Sequence, residues 1–149
     1  MATSLRAGVR WTLAAAAGLI LGAGDASAQK LEGADTALLL AWINVLITDQ
    51  LYDAAFVQKW TVGFEQLAEH VKAFTPEWAA PITDLPAEQI RATAHELGRN
   101  RPQAVIVPGR HTIWYGNDTQ RMRAVYIINA LLGALGRAGG MYFSKSPFI

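Results

Sequence analysis

Two stretches of this chain are apolar on almost every side when they are placed on a helix. The first runs from Thr36 to about Thr48 and is broken only by Asn44, and the second runs from Thr119 to about Leu135. A helix that is apolar all round is usually buried, and both stretches are shorter than the roughly 20 residues of a membrane span. The pattern therefore predicts two buried helices, with Asp35 as the N-cap of the first.

Shorter amphipathic stretches lie between these two. A helix is predicted from about Asp53 to Thr61, and another follows Gly63. The apolar positions of that second helix recur at helical spacing: Phe64, Leu67, Ala68 and Val71. The stretch from Thr75 to Pro86 contains three prolines and predicts a turn-rich connection.

Pro86 is suited to open a further helix, because its fixed φ matches the first helical position. Ile90, Ala94 and Leu97 lie on one side of that helix, and Gly98 is its expected end.

A short β-branched run, Ala104 to Val107, is typical of a buried strand that ends at Pro108 and Gly109. A polar loop from Arg110 to Asp118 then leads into the second apolar helix. This order predicts an α/β fold, a helix-rich partial Rossmann-like layer. Because one strand is not a sheet, further strands are expected from outside this segment.

The first 28 residues have the pattern of a secretory signal peptide. Arg6 and Arg10 give a positive start, an apolar stretch follows, and Ala26-Ser27-Ala28 is a small-residue cleavage site. A single membrane anchor is the rival interpretation, but the apolar stretch is short for a span. We expect residues 1–28 to direct export to the periplasm, with membrane contact only through this segment, and residues 29–149 to form the domain.

Composition limits the chemistry of that domain. The chain is 52% hydrophobic and 17% charged, which argues against disorder, and it has no cysteine, so it supplies no thiolate ligands to iron-sulfur clusters. Residues 99–149 hold seven basic side chains and one acidic side chain. This excess favours an anionic ligand, although a solvated basic surface has the same composition.

Most catalytic patterns are missing. His70 and His95 are expected on wet helix faces, and the three histidines show no metal-ligand spacing, so no metal ligand and no catalytic residue is predicted. Ser144 and Ser146 lack the glycine-flanked setting of a nucleophile, and no spacing supports a carboxylate pair. The tryptophans are not interleaved with basic residues, which disfavours nucleic-acid binding.

The predicted corner between strand and second apolar helix is the best candidate site. Ligands of α/β sheets bind beyond the carboxyl ends of strands, and a helix start offers free backbone N–H groups to phosphate or a polar cofactor edge. Gly109 and Gly116 permit close approach, and Arg110 and Arg121 supply charge. The alternative is an ordinary cap at Asn117 or Asp118 with both arginines in solvent.

The amino-acid sequence around this corner resembles that of the molybdopterin oxidoreductases, most of all the catalytic subunits of polysulfide and thiosulfate reductases. The similar segments cover about residues 32–143: Gly33 to Ala41, Leu51 to Asp53, Phe56-Val57, Trp60 to Phe64, Gly109 to His111, Trp114 to Arg121, Asn129 to Gly133 and Gly136 to Gly140. The resemblance implies a bis-molybdopterin guanine dinucleotide cofactor (bis-MGD) holding molybdenum, with electrons passing through iron-sulfur clusters.

The resemblance also implies site residues. Asp35 matches the position that recognises the guanine end of one pterin dinucleotide, next to Ala34, where the family usually has threonine. The loop that approaches the cofactor is matched by Gly109, His111, Asn117, Asp118 and Thr119.

Other family features, an amino-terminal cysteine motif, a molybdenum-ligating residue and a carboxyl-terminal pterin domain, are not found in this sequence. We therefore expect an internal fragment of a catalytic subunit that contributes part of the cofactor surface and does not turn over alone. Its expected partners are the remainder of that subunit or an electron-transfer iron-sulfur subunit. The alternative is a non-catalytic exported module that docks on a partner subunit.

Overall fold

The helices of this chain are seen in a computed structural model that describes residues 34–109 and 118–142. In these ranges the chain forms α1 (Ala34–Thr48), α2 (Ala54–Trp60), α3 (Phe64–His70), a 3-10 turn (Val71–Ala73), α4 (Pro76–Thr83), α5 (Ala87–Arg99) and α6 (Asp118–Leu131). Among these described residues, the one sheet-like backbone pairing is an isolated bridge between Leu135 and Met141.

Helix α1 is the centre of the packing, because α4, α5 and α6 all contact it. Ile43 and Leu46 of α1 share a fully buried cluster with Ile128 of α6 and with Leu132 just after it. A second cluster lies where Ala37 and Ala41 meet α4 and α5, as small side chains let the helices approach closely. Contact on several sides explains why α1 has apolar residues all round.

The prediction of a buried first helix is confirmed, with one correction at its start. Asp35 lies in the first turn of α1 and not before it as an N-cap. There the carboxylate is favourable for a different reason, since its negative charge is attracted to the positive end of the helix dipole.

No helix in the described part of the chain is both long and apolar enough to cross a bilayer.

The prediction of a turn-rich connection from Thr75 to Pro86 is wrong, because these residues include α4. The Thr75 hydroxyl caps this helix by accepting from the Trp78 N–H at 3.3 Å, and Pro76 occupies its first turn. At that position proline loses nothing, since its missing N–H would have no helical partner. Pro81 lies inside the helix and removes a single hydrogen bond.

Gly98 does not end α5, which continues to Arg99. The residue is buried against the chain that follows α1, and a Cβ at this position would lie 2.6 Å from the Leu51 Cβ. Glycine is therefore needed here for close helix packing and not for a turn.

The predicted strand from Ala104 to Val107 is not formed in the described structure. Ala104 is buried but Val107 is 73% exposed, and no neighbouring strand pairs with this segment among the described residues. A strand requires a partner backbone, which these apolar residues do not find here. The helix-rich part of the expected fold agrees with the structure, and the Rossmann-like layer stays a prediction.

The end of α6 is joined to the start of α2 by Asp53. Its backbone N–H donates to the Leu131 carbonyl at 2.7 Å, and its carboxylate accepts from the Phe56 N–H at 2.9 Å and from Arg137 Nη1 at 2.6 Å. The backbone hydrogen bond from Phe56 and then the Arg137 guanidinium hold the pKa of Asp53 below its ordinary value, against the opposing effect of burial.

We expect Gly133→Ala to destabilise the fold more than Gly136→Ala. Both glycines have positive φ, +65° and +70°, where alanine costs about 1–2 kcal/mol. A Cβ at position 133 would also lie 2.7 Å from Asp53 Oδ2, whereas one at position 136 meets nothing within 4 Å. Urea denaturation followed by circular dichroism measures the difference, and equal losses would contradict the proposed contact.

The ion pair of Asp53 predicts a pH dependence. A carboxylate with a depressed native pKa stabilises the fold above the pKa of the unfolded chain, and this stabilisation is lost as the pH falls through the native value. Asp53→Asn keeps an N-cap but lacks the charge, so it should be less stable than wild type at pH 7 by about 1 kcal/mol. The gap should close as the pH falls below about 4 in thermal melts; a gap independent of pH would refute this origin.

Candidate functional site

Two of the expected cofactor residues lie beside one arginine. Asp35 and Asp118 occupy the first turns of α1 and α6, and both face Arg121. Arg121 Nε lies 3.9 Å from Asp35 Oδ2, and Arg121 Nη1 lies 3.6 Å from Asp118 Oδ1. Residues far apart in the sequence therefore form one charged cluster, which we call the 35/118/121 cluster.

The three side chains of this cluster differ sharply in burial. The Arg121 side chain is 5% exposed, that of Asp118 is 23% exposed and that of Asp35 is 74% exposed. A buried guanidinium requires nearby negative charge, which the two carboxylates supply. Because the Asp35 carboxylate also faces solvent, it can accept hydrogen bonds from a ligand while Arg121 stays buried.

Helix starts add further binding capacity to the cluster. The first N–H groups of a helix have no partner within the helix, and the helix dipole makes this end positive. The first turns of α1 and α6 lie near each other through Arg121. The arrangement offers a carboxylate for N–H donors and backbone N–H groups for anions, two functions that a nucleotide uses together.

The remaining expected site residues are distributed unevenly. Thr119 is exposed in the first turn of α6, and Gly109 is exposed at the end of the segment that follows α5. His111 and Asn117 lie outside the described residues, as does Arg110. The described part of the site is therefore built mainly from Asp35, Asp118 and Thr119.

Asn129 is a positioning residue that its sequence pattern alone did not single out. Its side-chain amide is fully buried, donates to the Ile106 carbonyl and accepts from the Ile106 N–H, both at 2.8 Å. The amide thus supplies the two hydrogen bonds that a neighbouring strand would give to Ile106, and it holds in place the segment that leads to Gly109. A lone asparagine in the apolar second half of α6, residues 124–131, was the available signal.

An open groove runs along the outer side of α6 and includes Asp118, a member of the cluster. Its volume is about 780 Å³, and it is lined by Asp118, Thr119, Met122, Arg123, Tyr126, Ile127, Ala130 and Leu135. The second apolar helix is therefore buried on one side only.

Two histidines, His70 and His95, lie within the described residues. His70 is exposed as expected, whereas His95 is only 29% exposed and its Nε2 lies 2.7 Å from Asp49 Oδ2, which links α5 to the end of α1. In the described ranges, no three side chains of the types His, Cys, Asp and Glu come together as a metal site.

Replacing Asn129 with leucine should release the Ile106 segment. Two backbone groups would lose their partners, which costs about 1–3 kcal/mol when such groups are buried. The Ile106 amide should then exchange faster with deuterium, as measured by NMR. Asn100→Leu, at an exposed helix end, is the matched control and should leave that exchange unchanged; equal rates in all three proteins would contradict the role of Asn129.

Known proteins similar to this chain include enzymes that carry molybdopterin. The chain is 44% identical over 117 residues to the molybdopterin-containing subunit of thiosulfate reductase from Salmonella typhimurium, a match that covers 78% of the chain and 15% of the relative. It is 34% identical over 113 residues to trimethylamine-N-oxide reductase of Vibrio vulnificus, covering 71% of the chain and 14% of that enzyme. No family model matches the sequence.

A solved structure agrees with these relatives. Acetylene hydratase from Pelobacter acetylenicus superposes with a TM-score of 0.65 at 40% identity, covering 68% of this chain and 14% of that protein. The chain thus spans about one seventh of the length of the proteins it matches. Sequence and structure together identify the chain as a homologue of one region of the molybdopterin-containing oxidoreductases.

Proposed function

We propose that this chain contributes part of the surface that binds a molybdopterin guanine dinucleotide in an oxidoreductase catalytic subunit of the thiosulfate and polysulfide reductase type. The observation that carries the proposal is the meeting of Asp35 and Asp118 at Arg121, in a chain whose relatives are molybdopterin enzymes. These two aspartates come from separate segments of the family resemblance, and the fold brings both to one end of α1 and α6.

The residues present fit the nucleotide end of such a cofactor. A guanine base presents adjacent N–H donors on one edge, and an ionised carboxylate accepts two hydrogen bonds from such an edge. The carboxylate of Asp35 is exposed enough to do this. Backbone N–H groups at the starts of α1 and α6 suit the phosphates, and the exposed Thr119 can donate its hydroxyl.

The chain's own part in the chemistry is binding and orientation. When bound, the molybdenum of the cofactor supplies the redox step. This sequence contains no cysteine, so electron transfer through iron-sulfur clusters requires ligands from another polypeptide segment. We propose that the chain alone has no turnover and that it acts in the periplasm with the remainder of a catalytic subunit or with an iron-sulfur subunit.

The groove along α6 supports a second candidate, a non-catalytic module that docks on a partner subunit. Met122, Tyr126 and Ile127 line this groove and remain partly exposed. Exposed apolar surface of this kind is typical of a protein contact. A docking module would be stable and would bind no nucleotide, which separates it from the first proposal.

Titration of the full chain with guanosine monophosphate, followed by amide NMR shifts, tests the first proposal. We expect the shifts to concentrate at residues 34–36 and 118–122, and Asp35→Asn to weaken binding about tenfold, the effect of one charge-assisted hydrogen bond. Glu65→Gln, at the exposed start of α3, is the matched control.

Two results would count against the proposal. One is the absence of shifts at both helix starts up to about 10 mM nucleotide, which corresponds to a binding free energy weaker than about 3 kcal/mol. The other is molybdenum-dependent reduction of thiosulfate or polysulfide by the purified chain alone, which would contradict its dependence on further subunits or segments.

A further inference from the structure

We propose that Arg121 is a positioning residue that sets the Asp35 carboxylate for guanine and thereby determines base selectivity. The inference rests on the proposed function, since it concerns how the same site reads its ligand. It starts from the 3.9 Å approach of a 5% exposed guanidinium to a 74% exposed carboxylate on a different helix.

Burial gives Arg121 a fixed position from which to act. Its side chain lies between α1 and α6 with little freedom, and Asp118 on its own helix lies 3.6 Å away on a second nitrogen. The guanidinium attracts both carboxylates at ion-pair distance, without a hydrogen bond from Nε. Its charge is spread over a plane that presents a separate nitrogen to each carboxylate, which a lysine ammonium does not do. Asp35, on the solvent side, is thus the member of the cluster left to face a ligand.

Helix packing alone does not explain an arginine at this position. Apolar side chains of similar volume join helices as well as a buried ion pair or better, because the charges must lose their water. The neighbouring contacts of α6 with α1 are apolar, through Val125 and Ile128. A charge at position 121 also acts on the two carboxylates beside it, which an apolar side chain would not do.

Two modes of action for Arg121 predict different ligand preferences. If the guanidinium contacted phosphate directly, its loss would weaken guanosine and adenosine monophosphates equally. If it positions Asp35, its loss affects the base edge alone, because adenine does not present the paired N–H donors of guanine. The ratio of the two affinities therefore separates positioning from phosphate binding and from a merely structural role.

The experiment measures the affinity of the full chain for guanosine and adenosine monophosphates by calorimetry. We expect Arg121→Met to lower guanosine monophosphate affinity about tenfold and leave adenosine monophosphate unchanged. Arg99→Met is the control, since it removes the same charge from an exposed position at the end of α5, outside the site and the groove. Arg121→Lys keeps the charge in the core and should also lose selectivity, which covers the case in which the methionine variant fails to fold.

The outcomes distinguish the two proposals. If Asp35→Asn lowers selectivity but neither Arg121 variant does, the positioning role is overturned and the binding surface stands. If wild type binds both nucleotides equally and Asp35→Asn has no effect, the proposed function fails and the role of Arg121 fails with it. Equal weakening of both nucleotides by Arg121→Lys also overturns positioning, in favour of direct phosphate contact or a merely structural role.

Discussion

The apolar contact between α1 and α6 is the constraint on which the rest of the molecule depends. Ile43 and Leu46 pack with Ile128 and Leu132 in a cluster from which water is excluded. Burial of such side chains stabilises a fold by about 1.5–3 kcal/mol each. Because the helices meet along their length, their first turns come to one end of the pair, where the 35/118/121 cluster lies.

An apolar helix surface does not by itself fix rotation or sliding, and buried polar side chains supply that information here. Asn44 donates to the Val71 carbonyl at 2.8 Å, Asn129 pairs with both backbone groups of Ile106, and Arg121 reaches across to α1. Each contact joins a central helix to a different part of the chain. A shift of either helix by one residue would leave buried polar groups without partners, which is costly.

Much of the helical structure is predictable from local pattern. The site roles of both aspartates follow only from the family resemblance, and their meeting follows from neither. The link through Arg121 depends on tertiary packing between distant segments. Local periodicity carries no information about such packing. The sequence prediction missed α4, because the pattern does not distinguish a proline in a first helical turn, such as Pro76, from a proline that breaks a helix. The strand prediction failed at Ile106 because a side-chain amide from α6 takes the role of a neighbouring backbone.

The contact between Gly133 and Asp53 also bears on how homologues of this region can diverge. A side chain at position 133 needs the space that the Asp53 carboxylate occupies, and that carboxylate caps α2 and pairs with Arg137. The three positions should therefore change together or not at all across lineages. Correlated substitution at positions 53, 133 and 137 would then reflect the contacts of Asp53 that link the end of α6 to α2.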